Sequence, residues 1–421
     1  MDAYFFTINM VCWRRQDEKQ MVEEFLLSNS WRKTDDISSA DVVFLFTCGL
    51  TQEKVKMAIS EVSKTKEMLK KDAILIMGGC LPKIDSDSLE NIFNGKVITP
   101  TDFSALNNLS NIKINIEDFI KSRKNEFCFS SGVSHDKPVQ ESKIRDTFTQ
   151  GPDILRFSKS IFHKIKKMAS LQTINSIFHW LKDRIFKRYN YWQFNMDKCF
   201  NIHIAKGCAR DCSYCAIRFA IGPLKSRPLN DCIEEIETAV DSGNKMLHLY
   251  ADCVGDYGLD IGTNLGELLE KISKINKDFF LWLCDIQPAQ FLKYFKQIEN
   301  LCKLKKIRAL HIPIQSANAR ILKLMHRQID IQELENKILR IKKYSIWFKY
   351  DIMIGFPGET EEEFEDTLRF LQKTKKSFCF VVCYSDRPNT LASQLPGKIP
   401  EDVMRRRLDK IKKMKEIIII G

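Results

Sequence analysis

This chain of 421 residues has no uncharged apolar run long enough to cross a bilayer, which takes about 20 residues. It opens on Asp2, with no basic segment leading into an apolar stretch, so no export signal is read there. Its fourteen cysteines are therefore not the staples of a short secreted domain. A reducing cytoplasm, where thiols stay free to bind metal, is the expected location, with no membrane partner. A further lack is local. The tight trio Cys208, Cys212 and Cys215 has the spacing C-x3-C-x2-C and no fourth cysteine beside it. Closed zinc sites and electron-transfer clusters take four protein ligands. Three thiolates on a four-iron cluster leave one iron open, and an open iron can hold a small molecule. The plain alternative is three structural cysteines that fall at this spacing by chance.

A second trio is spread along the chain. Cys12 follows the strand-like run Tyr4–Ile8, Cys48 ends Val42–Thr47, and Cys80 ends Ala73–Gly79. Each run is short, apolar and bounded by turn residues, as buried parallel strands are. Helical stretches, Glu18–Leu27 and Gln52–Leu69, lie between them. Strand, helix, strand, helix, strand puts the strand C-terminal ends on one edge, where three distant cysteines can converge. Buried thiols are the alternative for any one of them.

From about residue 200 a strand-then-helix unit recurs six times. Apolar runs at Asn201–Ala205, Met246–Ala251, Phe279–Cys284, Arg308–Ile314, Trp347–Ile354 and Phe378–Tyr384 alternate with helix-like segments. These include Leu229–Val240, Leu265–Ile275, Ala317–Met325, Ile331–Tyr344 and Glu361–Leu371. The pattern predicts parallel strands with right-handed crossovers. The fold class is α/β: an N-terminal parallel-sheet domain followed by an open, partial (β/α)6 barrel. The expected boundaries are 1–102, a linker and insertion over 103–196, the barrel over 197–400, and a helical tail over 401–421. Barrel sites sit at strand C-terminal ends. Cys208 follows the first strand there, Asp252 the second, Gln315 the fourth and Gly355 the fifth.

The cysteine loop, with Tyr214 just before its last cysteine, resembles the radical S-adenosylmethionine (SAM) enzymes. Residues 1–100 and 197–410 together resemble their methylthiotransferase branch. The likeness includes Thr47-Cys48, Gly79-Cys80, Ser226-Arg227-Pro228, His311–Ser316, Gly355–Thr360 and Tyr384–Pro388. Tyr257–Asn264 is most similar to members acting on threonylcarbamoyladenosine in tRNA. The resemblance implies two 4Fe-4S clusters, one on Cys208, Cys212 and Cys215 and one on Cys12, Cys48 and Cys80. It implies that the first cluster binds SAM and cleaves it to a deoxyadenosyl radical, which takes a hydrogen from an unactivated C–H bond. The second carries or donates the sulfur, which another SAM methylates. Tyr214 is implied near the adenine. Asp252 could bind SAM's ammonium or ribose, or cap a turn. Gln315 could hydrogen-bond SAM or substrate. Gly355 and Gly358 allow close backbone approach, or simply make the turn before a helix, and Glu359 could serve that helix's dipole. An electron donor such as flavodoxin or ferredoxin is implied.

Several positions depart from the family. Val11-Cys12-Trp13-Arg14-Arg15 replaces a glycine before the first cysteine and an asparagine three residues after it. The two arginines could raise that cluster's potential or bind an anionic substrate group. Arg218 and Ile221 stand where proline and arginine are usual. The family's C-terminal RNA-gripping β-barrel is not expected here, since Glu401–Lys415 and Ile417–Ile420 leave no room for one. The stretch 103–196 begins polar and loop-like (Ser104–Gln150). Its second part, 154–198, has ten Lys/Arg against two Asp, a net +8 of the chain's +12. Aromatics interleave the charges, and apolar spacing suggests two amphipathic helices. It could grip RNA, since cations neutralise phosphates and aromatics stack on bases. It could also form a groove for a peptide leader, cover the barrel, or lie on a membrane surface. Three functions stay open: a tRNA methylthiotransferase, a methylthiotransferase for a protein or ribosomally made peptide, and a non-catalytic iron–sulfur protein.

Overall fold

The computed structural model describes residues 3–12, 15–122, 199–375, 377–414 and 417–420. The basic aromatic stretch 154–198 lies outside them.

The N-terminal part is a five-stranded, all-parallel sheet. Its strands are β1 (Tyr4–Asn9), β2 (Arg32–Lys33), β3 (Val42–Thr47), β4 (Ile74–Gly79) and β5 (Lys96–Val97), in the order β2-β1-β3-β4-β5. Side chains alternate across a strand, and β3 is buried on both faces. Val42, Phe44 and Phe46 meet Val22, Phe25 and Leu26 of the helix Gln16–Ser28. Val43 and Leu45 meet Val55, Ala58 and Val62 of the helix Gln52–Met68. The Thr51 hydroxyl accepts the Lys54 N–H at 3.3 Å and so starts the second helix.

The segment just after residue 102, expected as a loop-rich connection, is folded. Ser104–Asn108 forms a 3-10 turn and Ile116–Ser122 a helix. Leu106, Leu109, Ile116 and Phe119 join the apolar core beneath Phe25, because their burial outweighs the polar residues around them.

The second part is an open eight-stranded sheet in the order β7-β6-β8-β9-β10-β11-β12-β13. The strands are β6 (Phe200–Lys206), β7 (Lys225–Ser226), β8 (Met246–Ala251), β9 (Phe280–Leu283), β10 (Ile307–Gln315), β11 (Trp347–Ile354), β12 (Ser377–Cys383) and β13 (Ile417–Ile420). Every pairing is parallel except β6 with β7. Six of these strands are the six expected units. The tail corrects an expectation: Glu401–Lys412 is helical, but Ile417–Ile420 is a strand on β12. Four consecutive β-branched residues favour extended backbone over helix.

Alternation also defines the two faces of this sheet. Leu247, Leu249, Leu281, Leu283, Leu310, Ile312, Phe348 and Tyr350 pack outward under the helices. The concave face therefore carries His203, His248, Tyr250, Trp282, Cys284, His311, Lys349 and Asp351. Asn201, His248, Trp282, Ala309 and Trp347 form one register row across five strands. His248 stacks on Trp282 with centroids 4.6 Å apart, and His203 stacks on Tyr250 at 4.7 Å.

Candidate functional site

The distant trio converges where the sheet directs it. Cys12 lies just beyond β1, while Cys48 and Cys80 directly follow β3 and β4. The register holds these ends level: the Met10 N–H donates to Phe46 O at 2.9 Å, and the Cys80 N–H to Thr47 O at 3.1 Å. Gly79 takes φ +93 because a Cβ there would lie 2.3 Å from Thr47 O. Cys12 is near enough to Cys48 and Cys80 to disfavour the ionisation of both. Burial pushes the Cys48 thiol up, and it does so more strongly for Cys80. Arg15 opposes that shift at Cys80.

The tight trio sits on the loop after β6. Gly207 takes φ +76, since a side chain there would strike Pro223 O. Its N–H donates to Asp252 Oδ2 at 2.9 Å. Ser213 anchors the loop's far side, its hydroxyl donating to Leu324 O at 2.7 Å and its carbonyl accepting the Ala392 N–H at 2.9 Å. Tyr214 packs into a small apolar cluster with Met325, Phe356 and Tyr384, and burial raises its phenol well above the ordinary value. Burial also pushes the Cys215 thiol up to about 11. Cys208 moves the other way, because the Cys253 thiol hydrogen-bonds to it.

The two trios are neighbours. Cys80 and Ile84 pack in one apolar cluster with Ala216 and Ala220, and Ala216 is the residue after Cys215. Arg15 spans the same junction. Its guanidinium pairs with Glu18 at 2.6 Å and with Asp252. Burial works against that charge, but Asp252 and Glu18 hold it on. Arg15 is thus engaged by carboxylates and is not presented to an anionic substrate group; Arg14 lies outside the described residues. Below it, Tyr250 donates to Asp17. Asp252, expected to face SAM, is shared in this structure between Arg15 and the Gly207 amide.

A second junction lies at Tyr384–Pro388. Arg387, 2 % exposed, pairs with the buried Asp85 at 3.1 Å and donates to Gln52 Oε1 at 2.9 Å. The Ser385 hydroxyl accepts the Gln52 N–H at 3.0 Å.

Gln315 ends β10 with φ +70, a strained position for a residue with a side chain. It is buried. Gly355 has φ +78, and a Cβ there would lie 2.3 Å from Met404 Sδ of the C-terminal helix. The close approach this glycine allows is therefore that of Met404. Glu359 accepts the Gly355 N–H at 2.8 Å and pairs with Arg407 of the same helix at 2.9 Å. Thr360 and Glu363 form the capping box that starts the next helix. Ser226 and Tyr257–Asn264 form a clip: Asp260 accepts the Ser226 N–H at 2.8 Å, and the Ser226 hydroxyl accepts the Gly258 N–H at 2.9 Å.

Three side chains at the tight trio were not singled out from sequence. Cys253 lies against Cys208 and Asp256. Asp256 is fully buried and receives Arg210 Nε at 2.8 Å and Gln290 Nε2 at 3.0 Å. Arg327, 8 % exposed, reaches Cys212 Sγ at 3.6 Å and the Tyr214 hydroxyl at 3.4 Å. Cys253 had a usable signal, because it follows a barrel strand end just as Cys208 does. Arg327 had none, since it lies between helices 115 positions from Cys212.

The radical SAM superfamily model matches residues 202–371, and the model described as uncharacterized protein family UPF0004 matches residues 5–99. The chain is 25% identical over 433 residues to a tRNA-2-methylthio-N(6)-dimethylallyladenosine synthase of Aquifex aeolicus, covering 100% of the chain and 84% of that protein. It is 35% identical over 212 residues to a probable threonylcarbamoyladenosine tRNA methylthiotransferase of Pyrococcus horikoshii, covering 49% and 50%. The chain thus matches about half the length of that second relative. Among solved structures, the radical S-adenosylmethionine methyltransferase TsrM of Kitasatospora setae aligns with a TM-score of 0.55 at 12% identity, covering 93% of this chain and 75% of that one, a likeness of fold. Among the described residues no helix is long and apolar enough to cross a membrane.

Proposed function

Because the chain belongs to the radical SAM methylthiotransferase family, we propose that it inserts a methylthio group at an unactivated C–H bond of a modified adenosine in tRNA. The observation that carries this reading is the shared apolar cluster that joins Cys80 of one trio to Ala216, the residue after Cys215 of the other. Hydrogen abstraction and sulfur delivery must reach the same carbon, so their sites must adjoin.

The donor sets fit iron–sulfur ligation. Each offers three thiols, with Cys253 lying against Cys208 beside the tight trio, and each has a buried arginine to offset the charge of a thiolate cluster: Arg15 by Cys80 and Arg327 by Cys212. Cys208, Cys212 and Cys215 would hold the cluster that binds SAM, and Cys12, Cys48 and Cys80 the second. When bound and reduced, the first supplies the electron that cleaves SAM. The protein's own part is placement. Asp252 fixes the loop through the Gly207 amide, Ser213 ties it to two neighbouring segments, and Tyr214 closes one side with an apolar wall. Gln315, at the rim, is available to hydrogen-bond SAM or substrate. The reductant is a flavodoxin or ferredoxin, and the cationic stretch 154–198 supplies the RNA grip. Over about half the chain, relatives named for threonylcarbamoyladenosine are 34–35% identical against 31% for one named for dimethylallyladenosine, a small margin in favour of the first nucleoside.

Two variants test the division of labour. Cys212→Ala should abolish SAM cleavage under dithionite. Cys80→Ala should keep cleavage to 5′-deoxyadenosine but lose the methylthio product. Nucleoside mass spectrometry of host tRNA, with and without the gene, should lose one 2-methylthio-adenosine on deletion. The wild type should restore it and Cys212→Ala should not. An unchanged profile from an expressed gene would sink the tRNA reading and move the substrate to a polypeptide.

A further inference from the structure

We propose that the concave face of the barrel holds a further metal site. It would take a divalent ion of the zinc class, bound by Cys284 Sγ, an Asp285 carboxylate oxygen and His311 Nδ1. Cys284 and Asp285 follow β9, and His311 lies on the adjacent β10. Cys284 and His311 are each 1% exposed and Asp285 6%. Their donor atoms all lie within 4.8 Å of one another.

The spacing suits a tetrahedral ion. Zn–S near 2.3 Å with Zn–N and Zn–O near 2.0 Å puts S and N roughly 3.6 Å apart and N and O roughly 3.3 Å apart. Here Cys284 Sγ is 3.4 Å from His311 Nδ1, and Asp285 Oδ1 is 3.3 Å from it.

The other ring nitrogen bears on the same point. His311 Nε2 lies 2.9 Å from Asp351 Oδ2 on β11, an ion-pair distance at an angle short of a hydrogen bond. A histidine that binds metal through one nitrogen commonly gives its other N–H to a carboxylate, which fixes the tautomer. With that N–H on Nε2, Nδ1 presents its lone pair to the Asp285 oxygen. Two lone pairs in a buried pocket repel unless a proton or a cation lies between them. Asp285 also takes φ +55, a left-handed conformation that turns the chain directly after Cys284.

One thiolate, one imidazole and one carboxylate suit zinc and not the all-oxygen shells of magnesium or calcium. Three protein ligands leave a fourth position open, as in catalytic zinc sites. The same loop carries Gln287, whose amide lies 3.9 Å from Cys212 Sγ. The metal site and the tight trio are therefore joined through one loop.

The test is elemental analysis of the full-length, cluster-reconstituted protein, read as zinc, iron and sulfide per chain. Neither SAM cleavage nor tRNA enters the readout, so its outcome is separate from that of the proposed reaction. The wild type should hold one zinc per chain. Cys284→Ala and His311→Gln should each bring zinc below a tenth of that, with iron and sulfide unchanged. Asp351→Asn removes no ligand and should weaken zinc binding about ten- to a hundredfold. Should a variant lose iron too, zinc-edge absorption of the wild type decides: one sulfur beside nitrogen and oxygen supports the site. An all-sulfur shell, a zinc-free wild type, or zinc indifferent to both ligand variants overturns it.

Discussion

Glu359 is a carboxyl asked to do two things at once. It accepts a backbone N–H and faces Arg407, both of which favour its charge, yet burial outweighs them and lifts it to about 7. In the unfolded chain the same group titrates near 4.5. Between those values the folded state binds the extra proton. The stabilisation from that proton is complete below about 4.5 and is lost as pH rises through about 7, a swing of at most ~3 kcal/mol. Glu359→Gln, which cannot ionise, should therefore gain in Tm over the wild type as pH goes from 5 to 8. Parallel Tm curves for the two proteins would remove the argument.

At the scale of elements, the C-terminal helix is the piece whose position depends on one missing methyl group. Gly355→Ala puts a Cβ into Met404 Sδ at a backbone angle that disfavours side chains. It should cost about 2–4 kcal/mol by denaturant unfolding. Adding Met404→Ala should recover the steric share and leave about 1 kcal/mol of backbone cost; no recovery would mean the clash is not the cause. The buried Arg387–Asp85 pair makes a comparable demand between the two sheets. Arg387→Ala leaves a buried carboxylate without its ion-pair partner and should cost about 3–5 kcal/mol, seen as a lower Tm and faster proteolysis between the sheets. Elements of this length were readable in advance. Each of the six barrel strands is a compact apolar run, and the helix ends carry Thr51, Asn264 or Thr360 as caps. The two-residue strands β2, β5 and β7 were not, because two residues have no periodicity. Nor was the polar concave face. Parallel strands covered on both sides read as continuous apolar runs, which hid His203 and His248 among their neighbours and left His311 visible only as part of the His311–Ser316 segment. Asp252 shows the same limit at the site: its place at a strand end was legible, but its pairing with Arg15 joins residues 237 positions apart.

For the whole molecule, charge is the property most open to test. The stretch 154–198 holds two thirds of the net positive charge. If it binds the RNA backbone, tRNA affinity should fall steeply with salt, with a log–log slope of about −0.7 to −0.9 per phosphate contacted. Replacing its ten Lys/Arg by Gln should flatten that slope by several units while SAM cleavage without tRNA stays unchanged. An unaltered slope would assign RNA binding to another surface. The register row from Asn201 through His248 and Trp282 to Trp347 bears on the molecule in another way. It lies on the N-terminal side of the cysteines, and His248, Trp282 and Ala309 in it are buried. Among the described residues, the concave face is thus filled by packed rings on the side away from the cysteine loops. A short-lived reactive species made at those loops meets side chains in that direction, so the consequence of the row is that chemistry is confined to the strand C-terminal side.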